Sequence, residues 1–269
     1  MSRIASKFAA LAAAGRKALI PFVTAGDPSL EATVPVMHAL VSAGADVIEL
    51  GVPFSDPMAD GPTIQRSSER ALGRGAGLRW VLRQVAAFRR DDAVTPVVLM
   101  GYLNPVEIHG TARFAAEAVA AGVDGVLLVD LPPEEAADTQ AAFAAAGLDL
   151  IALASPTTTD ARLALLGRIA QGYLYYVSFA GVTGASDRLD VQAAGSRVHA
   201  LKALATVPVV AGFGIKDAAS ASAMARDADG VVVGSALVAT LEGATDIADA
   251  VARTQAFLAP LRQALDTAR

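Results

Sequence analysis

Short runs rich in Val, Leu and Ile recur along the chain, separated by Ala-rich segments whose apolar positions return at helical spacing. The runs are ALIPFVTAG from residue 18, DVIELGV from 46, PVVLMGYLN from 96 and GVLLVDLPP from 125. DLIALASPT from 149, YLYYVSFAG from 173, PVVAGFG from 208 and GVVVGSAL from 230 complete the series. Between them, EATVPVMHALVSAG, TARFAAEAVAAG and EEAADTQAAFAAAG each predict an amphipathic helix closing on Gly, as a helix C-terminus favours. Continuous apolar runs alternating with helices predict a parallel sheet covered by helices.

One joint returns with the same logic: AGADVIEL, AGVDGVLLVD, AGLDLIALA and DADGVVVGS. No change in composition and no Pro- or Ser-rich linker interrupts the series, so residues 1–269 are expected to form one domain. The predicted fold is α/β, a single (β/α)8 TIM barrel with an extra N-terminal helix. The alternative is an open doubly wound sheet, which would normally carry a dinucleotide fingerprint after its first strand. The joint there, TAGDPS, has a single Gly.

A barrel puts function at the C-terminal ends of its strands. Glu49 lies near the end of strand two, and the loop over it, GVPFSDPMADGP, carries Asp56 and Asp60. Strand side chains alternate, so Glu49 shares a face with Val47, while Ile48 and Leu50 share the other. With the apolar pair against the helices, Glu49 faces the barrel mouth. There its pKa should rise, which suits it to acid and base work near neutral pH. A structural Glu paired with a Lys or Arg of the next strand remains open, as does a plain turn role for Asp60 and more so for Asp56.

The loops after strands six, seven and eight read AGVTGAS, AGFGIKD and VVGSAL. Each puts small residues where backbone N–H groups can approach an anion, and three in succession point to a phosphate cradle. Charge agrees with that division of labour. The net charge is −5 and no Lys- or Arg-rich run exists, which argues against nucleic acid or an anionic membrane as partner. A bound anion would then be held mainly by backbone amides.

There is no cysteine, so disulfides, thiolate ligands and a Cys nucleophile are excluded. His38, His109 and His199 have no ligand-like spacing, and no metal site is expected. Nor is there a nucleotide loop ending in Lys-Ser/Thr. The Ala-rich start, interrupted by Lys7, is a poor signal peptide, and no membrane span is evident, so a cytoplasmic location is expected.

The segments LIPFVTAGDP (19–28), IELGVPFSDPMADGPTIQ (48–65), MGYLNPV (100–106), YYVSFAGVTG (175–184), GFGI (212–215) and GSALV (234–238) run from strand one to strand eight. On these the chain closely resembles the tryptophan synthase alpha subunit family, over essentially its whole length. The resemblance implies a barrel that cleaves indole-3-glycerol phosphate to indole and glyceraldehyde 3-phosphate. It implies a pyridoxal-phosphate-dependent beta subunit as partner in an α2β2 heterotetramer, to which indole passes for tryptophan biosynthesis, and no cofactor in the alpha chain itself. By the same resemblance Glu49 is the acid/base and Asp60 the second catalytic carboxylate. Phe22, Met100, Tyr102, Leu127, Val129, Tyr175, Thr183 and Phe213 fall at the substrate. Gly184, Gly214, Gly234 and Ser235 fall at the phosphate. Asp56 and Asn104-Pro105 fall in loops that communicate with the beta subunit. Phe179 departs from the family's pattern, which often has Arg or an aliphatic residue there, and bears on loop closure.

Three other readings stay open from the residues. One is another phosphate-binding barrel enzyme, such as an isomerase or indole-glycerol-phosphate synthase; the synthase typically uses a Lys in the barrel mouth, and none of the strands here carries one. The others are a non-catalytic subunit that docks on the beta enzyme and a free-standing lyase that releases indole.

Overall fold

All eight apolar runs become parallel strands, and they close on one another in chain order. The structure is a computed structural model that describes residues 2–177, 191–212 and 214–267. The strands are β1 (Ala18–Thr24), β2 (Ile48–Gly51), β3 (Val97–Gly101) and β4 (Gly125–Leu128), then β5 (Asp149–Ala154), β6 (Leu174–Val177), β7 (Val209–Gly212) and β8 (Gly230–Val233). The helices in the first half are α1 (Arg3–Ala13), α2 (Thr33–Ser42), α3 (Pro62–Gly73), α4 (Leu78–Phe88), α5 (Leu103–His109) and α6 (Thr111–Ala121). Those in the second half are α7 (Ala137–Ala146), α8 (Asp160–Ile169), α9 (Val191–Leu204), α10 (Ala218–Ala225), α11 (Ser235–Leu241) and α12 (Ile247–Thr267). Hydrogen bonding of β1 to β8, with Ala18 opposite Gly230, closes the ring.

Alternation along the strands separates two cores. Outward side chains such as Leu19, Ile48, Leu50, Leu99 and Val231 pack beneath the helices. Inward ones, among them Ile20, Val47, Val98, Leu127, Ile151 and Val210, fill the barrel. The extra N-terminal helix belongs to the second group. Ile4, Phe8 and Leu11 of α1 are buried among the barrel-interior residues, so this helix stoppers the interior. Ser2 caps it, accepting from the Ala5 N–H, and its hydroxyl also donates to Asp149 at the start of β5.

The glycines that close α6 and α7 do so by adopting the left-handed conformation, Gly122 at φ 93° and Gly147 at φ 81°. The repeated joint then does a second job. Asp46, Asp124 and Asp229, each just ahead of an even-numbered strand, accept from the backbone N–H of Leu19, Val97 and Val209 respectively. Each also returns its own N–H to the carbonyl of that same residue. Gln171 makes the same two-way bracket with Leu150. Every odd strand is therefore pinned at its first residues by the turn leading into the next strand.

Cations from the helices complete three of these brackets: Arg262 on Asp46, Arg3 and Arg89 on Asp124, and Lys202 on Asp229. The Gln171 bracket is uncharged, which makes it the clean one to test. Gln171→Leu should leave the Leu150 N–H without its acceptor and lower stability by about 1–2 kcal/mol, read from the urea midpoint at constant m. A midpoint equal to wild type would mean the bracket carries no stability.

Candidate active site

Glu49 owes its setting to a four-residue strand with two unlike faces. Ile48 and Leu50 are fully buried under the helices, and Glu49, paired across the sheet with Phe22 and Val98, points inward. Its exposure is 0%. Tyr173 Oη donates to Oε1 at 2.6 Å, and Oε2 is buried without a partner. Burial pushes the carboxyl up to about 7, while the Tyr173 hydrogen bond pulls in the opposite direction. Glu49 makes no ion pair among the described residues, so the structural Glu–cation pairing is not what is found.

Tyr173 is the partner that the sequence reading missed. It stands just before β6, fully buried, with its ring 5.8 Å from that of Phe8 on the α1 stopper. Its signal was the alternation Tyr173–Leu174–Tyr175, which puts both tyrosines on the inward face. Tyr175 lies inside the barrel too, and the charge of Glu49 helps push its hydroxyl well above its ordinary pKa, after burial itself. Its ring takes the space beside Gly212, where any Cβ would collide with the phenol.

Asp60 stands on the turn between β2 and α3. Tyr102 Oη, just past β3, donates to Asp60 Oδ2 at 2.9 Å and accepts from the Ala59 N–H at 3.1 Å. Phe54 stacks on the Tyr102 ring at 5.1 Å. Burial raises the Asp60 pKa, and the Tyr102 hydrogen bond opposes the rise. Tyr102, expected as a wall of the substrate pocket, is thus engaged with the Asp60 turn as well.

Around Asp60 the side chains of Phe22, Ile64, Met100, Tyr102 and Val129 enclose a narrow crevice of about 10 Å³, with Gly51 in its floor. Glu49 sits one inward position below Gly51 on the same strand. Gly51 is needed there because a Cβ would run into the Phe22 ring. Ile64, which the sequence reading did not single out, packs with Phe22 and Val238. Leu127, by contrast, is fully buried in the barrel interior and does not line this crevice.

Gly234 and Ser235 lie at the start of α11, directly after β8, half-buried, and Gly214 follows β7 in the left-handed conformation at φ 73°. Thr183, Gly184 and Phe213, and Phe179 as well, lie outside the described residues. Asp56 is exposed and held by Ser55 Oγ. Asn104 and Pro105 were expected in a loop; they form the first turn of α5, whose Leu103 N–H is accepted by Asp130 Oδ1 at 2.8 Å. Among the described residues no group of His, Asp and Glu side chains has the arrangement of a metal site, and no helix is long and apolar enough to cross a membrane.

Comparison with known proteins agrees along the whole chain. The sequence profile of the family described as "Tryptophan synthase alpha chain" matches residues 8–266. A tryptophan synthase alpha chain of Xanthomonas oryzae pv. oryzae is 75% identical over 268 residues, covering 100% of both chains. That of Xanthomonas euvesicatoria pv. vesicatoria is 76% identical over 266 residues, covering 99% of both. Among solved structures, tryptophan synthase subunit alpha from Legionella pneumophila superposes with a TM-score of 0.92 at 46% identity, covering 99% of each chain. With the barrel, its buried Glu49 and full-length identity of this order in agreement, the chain belongs to the tryptophan synthase alpha chain family.

Proposed function

We propose that Glu49 transfers the protons and Asp60 stabilises the charge in the reaction of this family, the retro-aldol cleavage of indole-3-glycerol phosphate to indole and glyceraldehyde 3-phosphate. The chain is a carbon–carbon lyase of tryptophan biosynthesis. Cleavage needs a proton added at indole C3, which generates an indolenine with positive charge near the ring nitrogen. The bond to the side chain then breaks as the 3′-hydroxyl loses its proton and becomes the aldehyde. One group that is an acid near neutral pH can deliver the first proton and collect the second.

The observation that carries this reading is the setting of Glu49: fully buried and facing no cation among the described residues, so that burial pushes its carboxyl up to about 7. Burial raises the Asp60 carboxyl as well, and two influences favour its charged form. Tyr102 donates to its carboxylate, and a positive charge developing on the ring nitrogen favours the ionised form further. Asp60→Asn keeps an oxygen for Tyr102 but loses the charge. It should lower indole release by about 10²-fold; a loss of less than threefold would take Asp60 out of the mechanism.

The phosphate would be held by the backbone at Gly214, Gly234 and Ser235 together with Gly184, and the indole ring by Phe22 and Tyr102 at the crevice, by Leu127 and Tyr175 from the barrel interior, and by Thr183 and Phe213. A beta subunit is this chain's partner. We read the assembly as an α2β2 heterotetramer in which indole passes to that partner, with pyridoxal phosphate there and no cofactor here. Met58 on the Asp60 loop, 80% exposed, leaves an apolar side chain beside this site for such a partner to cover. The reading also takes residues 1–269 as one barrel domain and the location as cytoplasmic. The test is to incubate the chain with indole-3-glycerol phosphate, with and without a beta subunit, and assay free indole and tryptophan. No product under either condition would overturn it.

A further inference from the structure

We infer that Gln65 is a positioning residue for Asp60: its side-chain amide fastens the backbone of the Asp60 turn to the first turn of α3 and so sets where the carboxylate stands. The inference rests on the catalytic reading of Asp60. Gln65 Nε2 donates to the Asp60 carbonyl at 2.7 Å and reaches the Pro57 carbonyl at 3.5 Å. The Pro57 carbonyl also accepts the Asp60 N–H at 3.1 Å, closing the turn. The two carbonyls at the ends of that turn therefore converge on one amide.

The anchor is firm. Ile64, the neighbour of Gln65, is buried against Phe22 and Val238. Two residues further on, Ser67 Oγ lies 2.6 Å from Thr24 Oγ1 on β1 and donates to the Ile64 carbonyl, with both hydroxyls buried. α3 itself starts at Gly61 without a side-chain cap, so Gln65 serves the loop's carbonyls and not the helix's free N–H groups. Tyr102 holds the far end of the Asp60 side chain, and Gln65 holds its root. A charge-stabilising carboxylate is effective only where the charge develops, and errors of about 1 Å cost rate steeply.

The test uses the full chain in complex with its beta subunit. Gln65→Met keeps the length and drops the donor. We expect kcat for indole release to fall about tenfold, KM to stay within about threefold, and the Ala59 amide, which donates to Tyr102, to exchange its hydrogen at least about fivefold faster. Gln65→Glu adds a readout that packing alone would not move: ionised at neutral pH, it presents an anion to two carbonyls and should lower kcat further than Gln65→Met, which only loses the donor. An unchanged kcat in Gln65→Met, or a Gln65→Glu kcat equal to or above that of Gln65→Met, would overturn the inference. A wild-type chain that releases no indole would instead remove the catalytic reading, and the Ala59 exchange rate would still decide whether Gln65 holds the turn.

Discussion

Glu49→Gln should lower indole release by about 10³-fold or more while the barrel, substrate binding and docking to the beta subunit persist. Positioned acid–base groups contribute up to about 10⁴-fold, and here both proton transfers fall to one side chain. The substitution is nearly isosteric, and the amide oxygen still accepts from Tyr173, so the 2.6 Å contact that holds the side chain has a replacement. Docking should be untouched because Glu49 lies inside the barrel with no exposed surface. Steady-state indole release, with KM and beta-subunit affinity measured on the same preparations, checks this. Residual turnover within about tenfold of wild type would mean that another group moves the protons.

That Glu49 faces the barrel interior was readable from four letters, because period-two alternation and the apolar pair Ile48 and Leu50 leave its side chain only one direction. What holds it there was not readable. Tyr173 lies 124 positions away in sequence, and the contact exists only because closing the barrel brings β2 and the start of β6 to face each other across it. Tyr102 shows the same limit. A buried phenol needs a partner for its hydroxyl, but sequence does not say that the partner is Asp60.

The strands themselves were fully legible, since each apolar run is bounded by turn residues and tertiary context had nothing to override. The helix at Asn104-Pro105 was not. Proline is tolerated in a first helical turn, and the cap that starts this one is Asp130, supplied from beyond β4. The aspartates of the repeated joint were visible as a repeat. The work of three of them, Asp46, Asp124 and Asp229, in bracketing the preceding odd strand needed the register to appear; Asp149 instead accepts from Ser2, and Gln171 does the bracketing without matching the letter pattern. The substrate-side expectations at Thr183, Gly184 and Phe213 rest on family resemblance alone.

Glu49 should also make the protein less stable at alkaline pH than it would be without it, by about 3 kcal/mol. Burial raises the carboxyl from its ordinary 4.5 to about 7 in the folded chain, and unfolding returns it to water. The native state therefore binds more protons than the unfolded state between these values, and stability must fall as pH rises through that window. Below about pH 4.5 the group is protonated in both states and costs nothing; above about pH 7 the full penalty applies. The Gln variant has no such titration and keeps the Tyr173 contact. Asp60 and Asp149, whose pKa values burial also raises, are present in both proteins and cancel in the comparison. Urea unfolding should thus find the two about equally stable near pH 4.5–5 and Glu49→Gln about 3 kcal/mol more stable at pH 8. A stability difference that does not change between these pH values would mean that the carboxylate is hydrated and ionised in the folded chain, which would remove the acid that the cleavage requires.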